Sequence, residues 1–231
     1  MTTVESEDWL SALTEGRDID RSSTAERVAE MLRARVLDGV IKPGQQLNEK
    51  ALGEVLKVSR NTLREAFRLL AHERLLVHTY SKGVFVRKPE WQDIVDLYAA
   101  RRVIETGALR LWAQADKQKQ KAVADALQLG IDRQMKEDWA GVASANNRFH
   151  QAVVDLAGSS RLNEEISRLL AELRLAFHVI AEPHLLHADF LRMHELIVAH
   201  LDRGELREAE DALGTYFDRA EKDVTAGLRS A

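Results

Sequence analysis

A polar, aperiodic opening of about 21 residues gives way to apolar positions at helical spacing. Ser23-Thr24-Ala25-Glu26 has the capping-box pattern, in which Ser23 and Glu26 satisfy each other's free backbone donors. Val28, Met31, Leu32, Val36 and Leu37 follow as one apolar stripe, and Asp38-Gly39 ends that helix. Lys42-Pro43-Gly44 predicts a turn, and Asn48 caps a second helix through Leu52, Val55 and Leu56. Ser59 caps a third, whose inner face holds Leu63, Ala66, Phe67 and Leu70. Two extended runs, Leu75 to Tyr80 and Val84 to Arg87, flank Ser81-Lys82-Gly83 as a hairpin. Two helices with a tight joint and then a hairpin give the order of a winged helix-turn-helix.

Beyond Lys88-Pro89-Glu90 the periodicity is helical throughout, with helices expected at 91–115, 118–137, 139–157, 160–181, 186–202 and 204–228. Six such segments predict an antiparallel bundle. The expected organisation is therefore mainly α: an N-terminal arm at 1–21, a winged helix-turn-helix of three helices plus a β-hairpin wing at 22–88, and an all-helical domain at 89–231.

Charge sharpens this division. Residues 22–88 carry 13 Lys and Arg against 7 Asp and Glu, a net of +6, although the whole chain has a net charge of -4. A basic segment joined to an acidic one suggests that only the first meets phosphate. There is no cysteine, which excludes disulfides, thiolate metal sites and Cys nucleophiles. No apolar run approaches the ~18 to 20 residues that cross a bilayer. The acidic start MTTVESEDWL lacks the features of a signal peptide, so a cytoplasmic location with no membrane partner is expected.

The third helix opens Ser59-Arg60-Asn61-Thr62-Leu63-Arg64. In a helix-turn-helix the start of the second helix of the motif reaches base edges in the major groove. Arg60 and Arg64 share the face opposite Leu63 and Phe67. Arg suits guanine and Asn61 suits adenine. Ser59 and Thr62 suit phosphate at the positive helix end. Lys50, at the start of the preceding helix, and Lys82 and Gly83, at the wing tip, complete the candidate DNA contacts.

These stretches resemble the GntR family. Gly39 to Glu49 (GVIKPGQQLNE) resembles the opening of its DNA-binding domain, Val58 to Ala66 (VSRNTLREA) its recognition helix, and Gly83 to Val86 the second wing strand. The resemblance implies base and phosphate contacts from Lys50, Arg60 and Arg64. It also implies a homodimer on palindromic operator DNA, most often as a repressor released by an effector.

Leu97 to Glu105 (LYAARRVIE), Asn146 to His150 (NNRFH) and His194 to His200 (HELIVAH) resemble the FadR-type effector domain in its FCD branch. That resemblance implies a pocket for a small carboxylate, with Arg101 facing the effector. The residues alone allow another reading, an internal Arg101–Glu105 ion pair on a solvated helix face. Many FCD domains hold a divalent metal (Zn, Ni or Mn) on one Asp and three His. Here those positions fall on Asn146, His150, His194 and Tyr216, an incomplete set from which His150, His194 and Asn146 are the remaining metal candidates. Asn146 and His150, at i and i+4, aim at one spot. An amide is a weaker ligand than a carboxylate, and a phenol binds well only after losing its proton. Reduced metal affinity with a retained pocket is the expectation. The other histidines lack the spacing of a matched site, with His184 and His187 flanking a loop. The alternative function, a metal-dependent enzyme in a helical bundle, lacks an HExxH, GxSxG or P-loop pattern.

Overall fold

The computed structural model describes residues 23–180 and 183–230, without the side chains of Pro183 and Leu185. The arm expected at 1–21 lies outside the described residues. The chain begins with α1 (Thr24–Leu37), β1 (Gln46–Leu47), α2 (Glu49–Leu56), α3 (Arg60–His72), β2 (Leu76–Thr79) and β3 (Gly83–Val86). It continues with α4 (Trp91–Leu109), a 3-10 turn (Trp112–Gln114), α5 (Lys117–Gln134), α6 (Trp139–Asp155), α7 (Ser160–Phe177), α8 (Pro183–Asp202) and α9 (Leu206–Arg229).

The caps form as the sequence predicts. Ser23 and Glu26 close a capping box on α1. The Asn48 side chain accepts from the Ala51 amide, and the Ser59 hydroxyl from the Thr62 amide. Lys57 in the left-handed region ends α2, so Lys57 to Ser59 makes the tight joint between α2 and α3. Leu63, Ala66, Phe67 and Leu70 face the core shared with Val28, Leu32 and Val36.

Three elements differ from expectation. The wing is a three-stranded antiparallel sheet in the order β1-β3-β2, because Gln46 and Leu47 pair with Phe85 and Val84. Two residues are too few to show a strand period. Val55 is 77% exposed, not packed with Leu52 and Leu56. The first bundle helix stops at Leu109, and Trp112–Gln114 tightens into a 3-10 turn before Asp116 caps α5.

The bundle core gathers α4 to α9 around Tyr98, Phe149, Phe190, Tyr216 and Phe217, with Leu173 and Ala176 from α7. From its side, α7 reaches the winged helix. Leu175 of α7 is fully buried within the cluster formed by Leu63, Leu70 and Val36. Glu172 of α7 pairs with Arg87 at 3.2 Å and Arg74 at 3.9 Å. Arg174 Nε donates to the Leu37 carbonyl at 2.9 Å, and His178 Nε2 donates to the same oxygen at 2.8 Å. Gly39, at φ +73°, leaves no room for a Cβ because the His178 ring would lie 2.8 Å from it.

Leu175→Ala is therefore expected to destabilise the winged helix by about 2–5 kcal/mol, the cost of truncating a buried leucine. Amide hydrogen exchange should show loss of protection in α1 and α3. A change confined to the bundle amides would contradict this packing.

Candidate functional site

Two groups of side chains stand out, one on the surface of the winged helix and one inside the bundle. On α3, Arg60, Asn61 and Arg64 are exposed and Thr62 is half-buried, while Leu63, Ala66, Phe67 and Leu70 face the core. Arg60 and Arg64 border this apolar face and do not lie opposite it, since each precedes Leu63 or Phe67 by three residues. Lys50 on α2 and Lys82 at the wing tip are also exposed. Arg64 Nε donates to Glu49 at 3.2 Å, which engages one edge of its guanidinium. Exposed pairs of this kind contribute little, so Glu49 restrains the Arg64 guanidinium only weakly. Ser59 and Thr62 hydroxyls lie 2.8 Å apart and bond each other. The wing tip is held by a contact that the sequence did not suggest: Gln46 Nε2 donates to the Lys82 carbonyl at 2.7 Å. Gly83 starts β3 at φ +103°. Arg60, Asn61, Arg64, Lys50 and Lys82 are all open to solvent.

Inside the bundle, α4 contributes Tyr98, Arg101 and Glu105, α6 contributes Asn146 and His150, α8 contributes His194 and α9 contributes Tyr216. All six effector candidates, Arg101, Glu105, Asn146, His150, His194 and Tyr216, are buried. The Arg101–Glu105 pair does form, at 2.7 Å, but both side chains are fully buried. The alternative reading, in which that pair lies on a solvated helix face, is thereby corrected: α4 turns this edge into the bundle, between Tyr98 and Phe217.

The pair continues as a chain of hydrogen bonds. His150 Nδ1 lies 2.6 Å from Glu105 Oε2, and His150 Nε2 lies 2.8 Å from the Tyr216 hydroxyl. Burial alone would raise the Glu105 pKa, but Arg101 and His150 outweigh it and hold the carboxyl below its usual range. Burial lowers His150 below the imidazole range, with Glu105 opposing. Burial also raises Tyr216, with Arg101 opposing. These directions select a neutral His150 whose Nδ1–H donates to ionised Glu105 and whose Nε2 accepts the Tyr216 proton. His194 is pulled well below its usual pKa by burial, then by His150 and Arg101, and its ring stacks on Phe149 at 4.0 Å.

Four buried polar atoms around this chain have no hydrogen-bond partner within the protein: Arg101 Nη1 and Nη2, Tyr98 Oη and His194 Nε2. A buried donor left without an acceptor costs about 1–3 kcal/mol, more when charged. The free edge of Arg101 matches the two oxygens of a carboxylate.

The same residues fit a divalent metal poorly. His150 Nε2 is engaged by Tyr216, whose proton burial helps to retain. Asn146 supplies no charge, and the one carboxylate, Glu105, is committed to Arg101 and His150. A dication would add two positive charges beside a guanidinium with no anion to balance them. Among the described residues, no group of three or more His, Cys, Asp or Glu is placed to hold a metal ion.

No described helix is long and apolar enough to cross a membrane. Residues 24–86 match the model of the bacterial regulatory proteins, gntR family, and residues 96–219 match the FCD domain. The chain is 32% identical over 135 residues to the Nta operon transcriptional regulator of Aminobacter aminovorans, covering 58% of this chain and 64% of that protein. It is 36% identical over 100 residues to the gluconate operon transcriptional repressor of Bacillus licheniformis, covering 43% of this chain and 37% of that one. The matches thus span less than two thirds of these relatives' length. A crystal structure described as a transcriptional regulator GntR from Rhodococcus sp. RHA1 superposes with a TM-score of 0.83 at 38% identity, covering 89% of this chain and 99% of that one. E. coli McbR/YncC, at 21% identity and a TM-score of 0.73, shares the fold. With a basic helix-turn-helix in front of a helical bundle, and with both halves matched, the chain belongs to the GntR family of transcriptional regulators and carries an FCD domain behind its winged helix.

Proposed function

We propose that the chain is a cytoplasmic, homodimeric, operator-binding repressor, not an enzyme, whose affinity for DNA is set by a small carboxylate held at Arg101. The observation that carries the effector reading is the free, fully buried edge of the Arg101 guanidinium. A carboxylate there gains two charge-assisted hydrogen bonds and removes two unmet donors. Tyr98 and His194 supply further hydrogen-bonding groups beside it. The Arg101–Glu105–His150–Tyr216 chain keeps the guanidinium in place before the ligand arrives, which lowers the ordering cost of binding.

Operator binding rests on Arg60, Asn61 and Arg64 in the major groove, with Lys50, Ser59, Thr62, Lys82 and Gly83 along the backbone. In a palindrome, two recognition helices must match the spacing of the half-sites. The effector biases one arrangement of the two winged helices over another to the extent that it binds that arrangement more tightly. The path available is α4 and α6 to α7, and α7 to Leu37, Arg74 and Arg87 of the winged helix.

Three outcomes are expected. In a selection of genomic DNA fragments with purified protein, a short palindrome is enriched, and Arg60→Ala/Arg64→Ala loses it. Recovery of the same fragments by wild type and variant would refute the recognition-helix assignment. Second, Arg101→Ala keeps operator binding and loses release by effector; release at unchanged effector concentration would overturn the pocket assignment. Third, Asn146→Asp/Tyr216→His, which restores a carboxylate and a third imidazole, gains stoichiometric zinc, nickel or manganese in metal analysis of tag-free protein. The wild type remains substoichiometric; a stoichiometric metal in the wild type that only strong chelator removes would contradict the donor-set argument.

A further inference from the structure

A cavity lies where the bundle meets the winged helix, and it shares no lining residue with the Arg101 cluster. Its volume is about 330 Å³, within the usual span of small-ligand pockets. α6, α7 and α8 form most of its wall, and Asp38, at the end of α1, closes one side. Much of the wall is aromatic. The Trp139 and His184 rings stand 5.7 Å apart, and His187 leans on Phe177 at 4.6 Å. Such surfaces favour a flat ring packed against them.

Two polar groups in this wall are incompletely met. His187 is 5% exposed, lines the cavity, and has no partner for Nδ1. Burial, then Arg174 and His184, pull it down to about 4, so it is neutral near pH 7 and offers a hydrogen bond without a charge. Arg174 is half-buried, with Nε on the Leu37 carbonyl at 2.9 Å and Nη1 on the Ser144 hydroxyl at 3.4 Å. Both partners are neutral oxygens. Asp38 acts on Arg174 only as a nearby charge, outside ion-pair contact. A guanidinium held by neutral acceptors at the edge of an aromatic cavity is unsaturated toward an anion.

We propose that this junction cavity is a binding site for a flat aromatic monocarboxylate, with Arg174 as its anion anchor and Trp139, Phe177 and His184 as its ring-contacting walls. Arg174 is the one cation in the lining and Asp38 the one anion, so a single carboxylate can meet Arg174 while a second would face only Asp38. The site stands apart from the effector assignment at Arg101. Its position gives it a direct route to the DNA-binding part. Arg174 also holds the last residue of α1 through its Nε, so a carboxylate that draws on this guanidinium competes with the Arg174–Leu37 contact.

1-Naphthoate is the probe, titrated calorimetrically into the full chain. One-to-one binding is expected. It should weaken on the order of 10- to 100-fold in Arg174→Met, the loss of one charge-assisted contact, and by a similar factor for the neutral analogue 1-naphthalenemethanol. Because Arg174 also fastens the winged helix, Ala143→Phe provides an independent test: it fills the cavity, leaves the Arg174–Leu37 bond, and should abolish binding without lowering the melting temperature. Arg101→Met should bind as the wild type does. Binding lost in Arg101→Met and kept in Ala143→Phe would place the probe in the bundle centre and overturn the proposal. So would no binding by the wild type, or an affinity that none of the variants alters. None of those results bears on operator recognition by α3.

Discussion

A charge buried inside a helical bundle has to be answered, and the FCD half of this protein is arranged around one that is answered only in part. Arg101 is fully enclosed by its own bundle, and Glu105, one turn along α4, meets its Nε but not its two terminal nitrogens. Desolvation of a guanidinium is costly enough that this arrangement persists only where a good partner is fixed in place. Glu105 is so fixed, because His150 takes its second oxygen and Tyr216 takes the far side of His150. Four residues from three helices therefore share one proton-bearing chain. Removing any one of them leaves a buried polar group unmet, which is why this cluster constrains the packing of α4, α6 and α9 together.

The chain also decides between two chemistries that this fold could host. The carboxylate proposed at Arg101 would meet nitrogens that no protein group now bonds. A divalent cation would have to displace the Tyr216 proton from His150 and would find an amide at Asn146 where a negative charge is needed. The same positions thus favour an anion over a cation. From this cluster the route to the winged helix runs through α7, whose Leu175 lies in the core of the DNA-binding part and whose Glu172, Arg174 and His178 bond its edge. Leu175 and Ala171 of α7 pack in the core of the winged helix, which couples the position of α7 to that of the DNA-binding part.

Much of the DNA-binding half is legible from sequence because its signals are local. Ser23, Asn48 and Ser59 are caps whose partners lie three residues away, and the apolar positions of α3 repeat on its own period. What is not legible depends on partners far along the chain. Gln46–Leu47 is a strand only because β3 lies beside it. Leu175 reads as one more apolar position of a bundle helix, and nothing near it in sequence says that it packs against Leu63 and Leu70. Arg101 and Glu105 are recognisable as an i,i+4 pair, yet their burial is a tertiary fact: charged residues usually mark the wet face of a helix, and here they mark the inner one. His187 and Arg174 carry no motif at all; they become a site only where α6, α7 and α8 converge on the end of α1.

The central claim is that the unmet edge of Arg101 is a receptor for a small carboxylate. Thermal unfolding of the full chain across a panel of small mono- and dicarboxylates tests it most directly, with Arg101→Met as the reference. Binding to the folded state alone stabilises by about 2.7 kcal/mol at a hundredfold excess over Kd. The account predicts that at least one carboxylate raises the melting temperature of the wild type by several degrees and leaves that of Arg101→Met unchanged. Equal shifts in both proteins, or stabilisation of the wild type by divalent metal and not by any carboxylate, would contradict it.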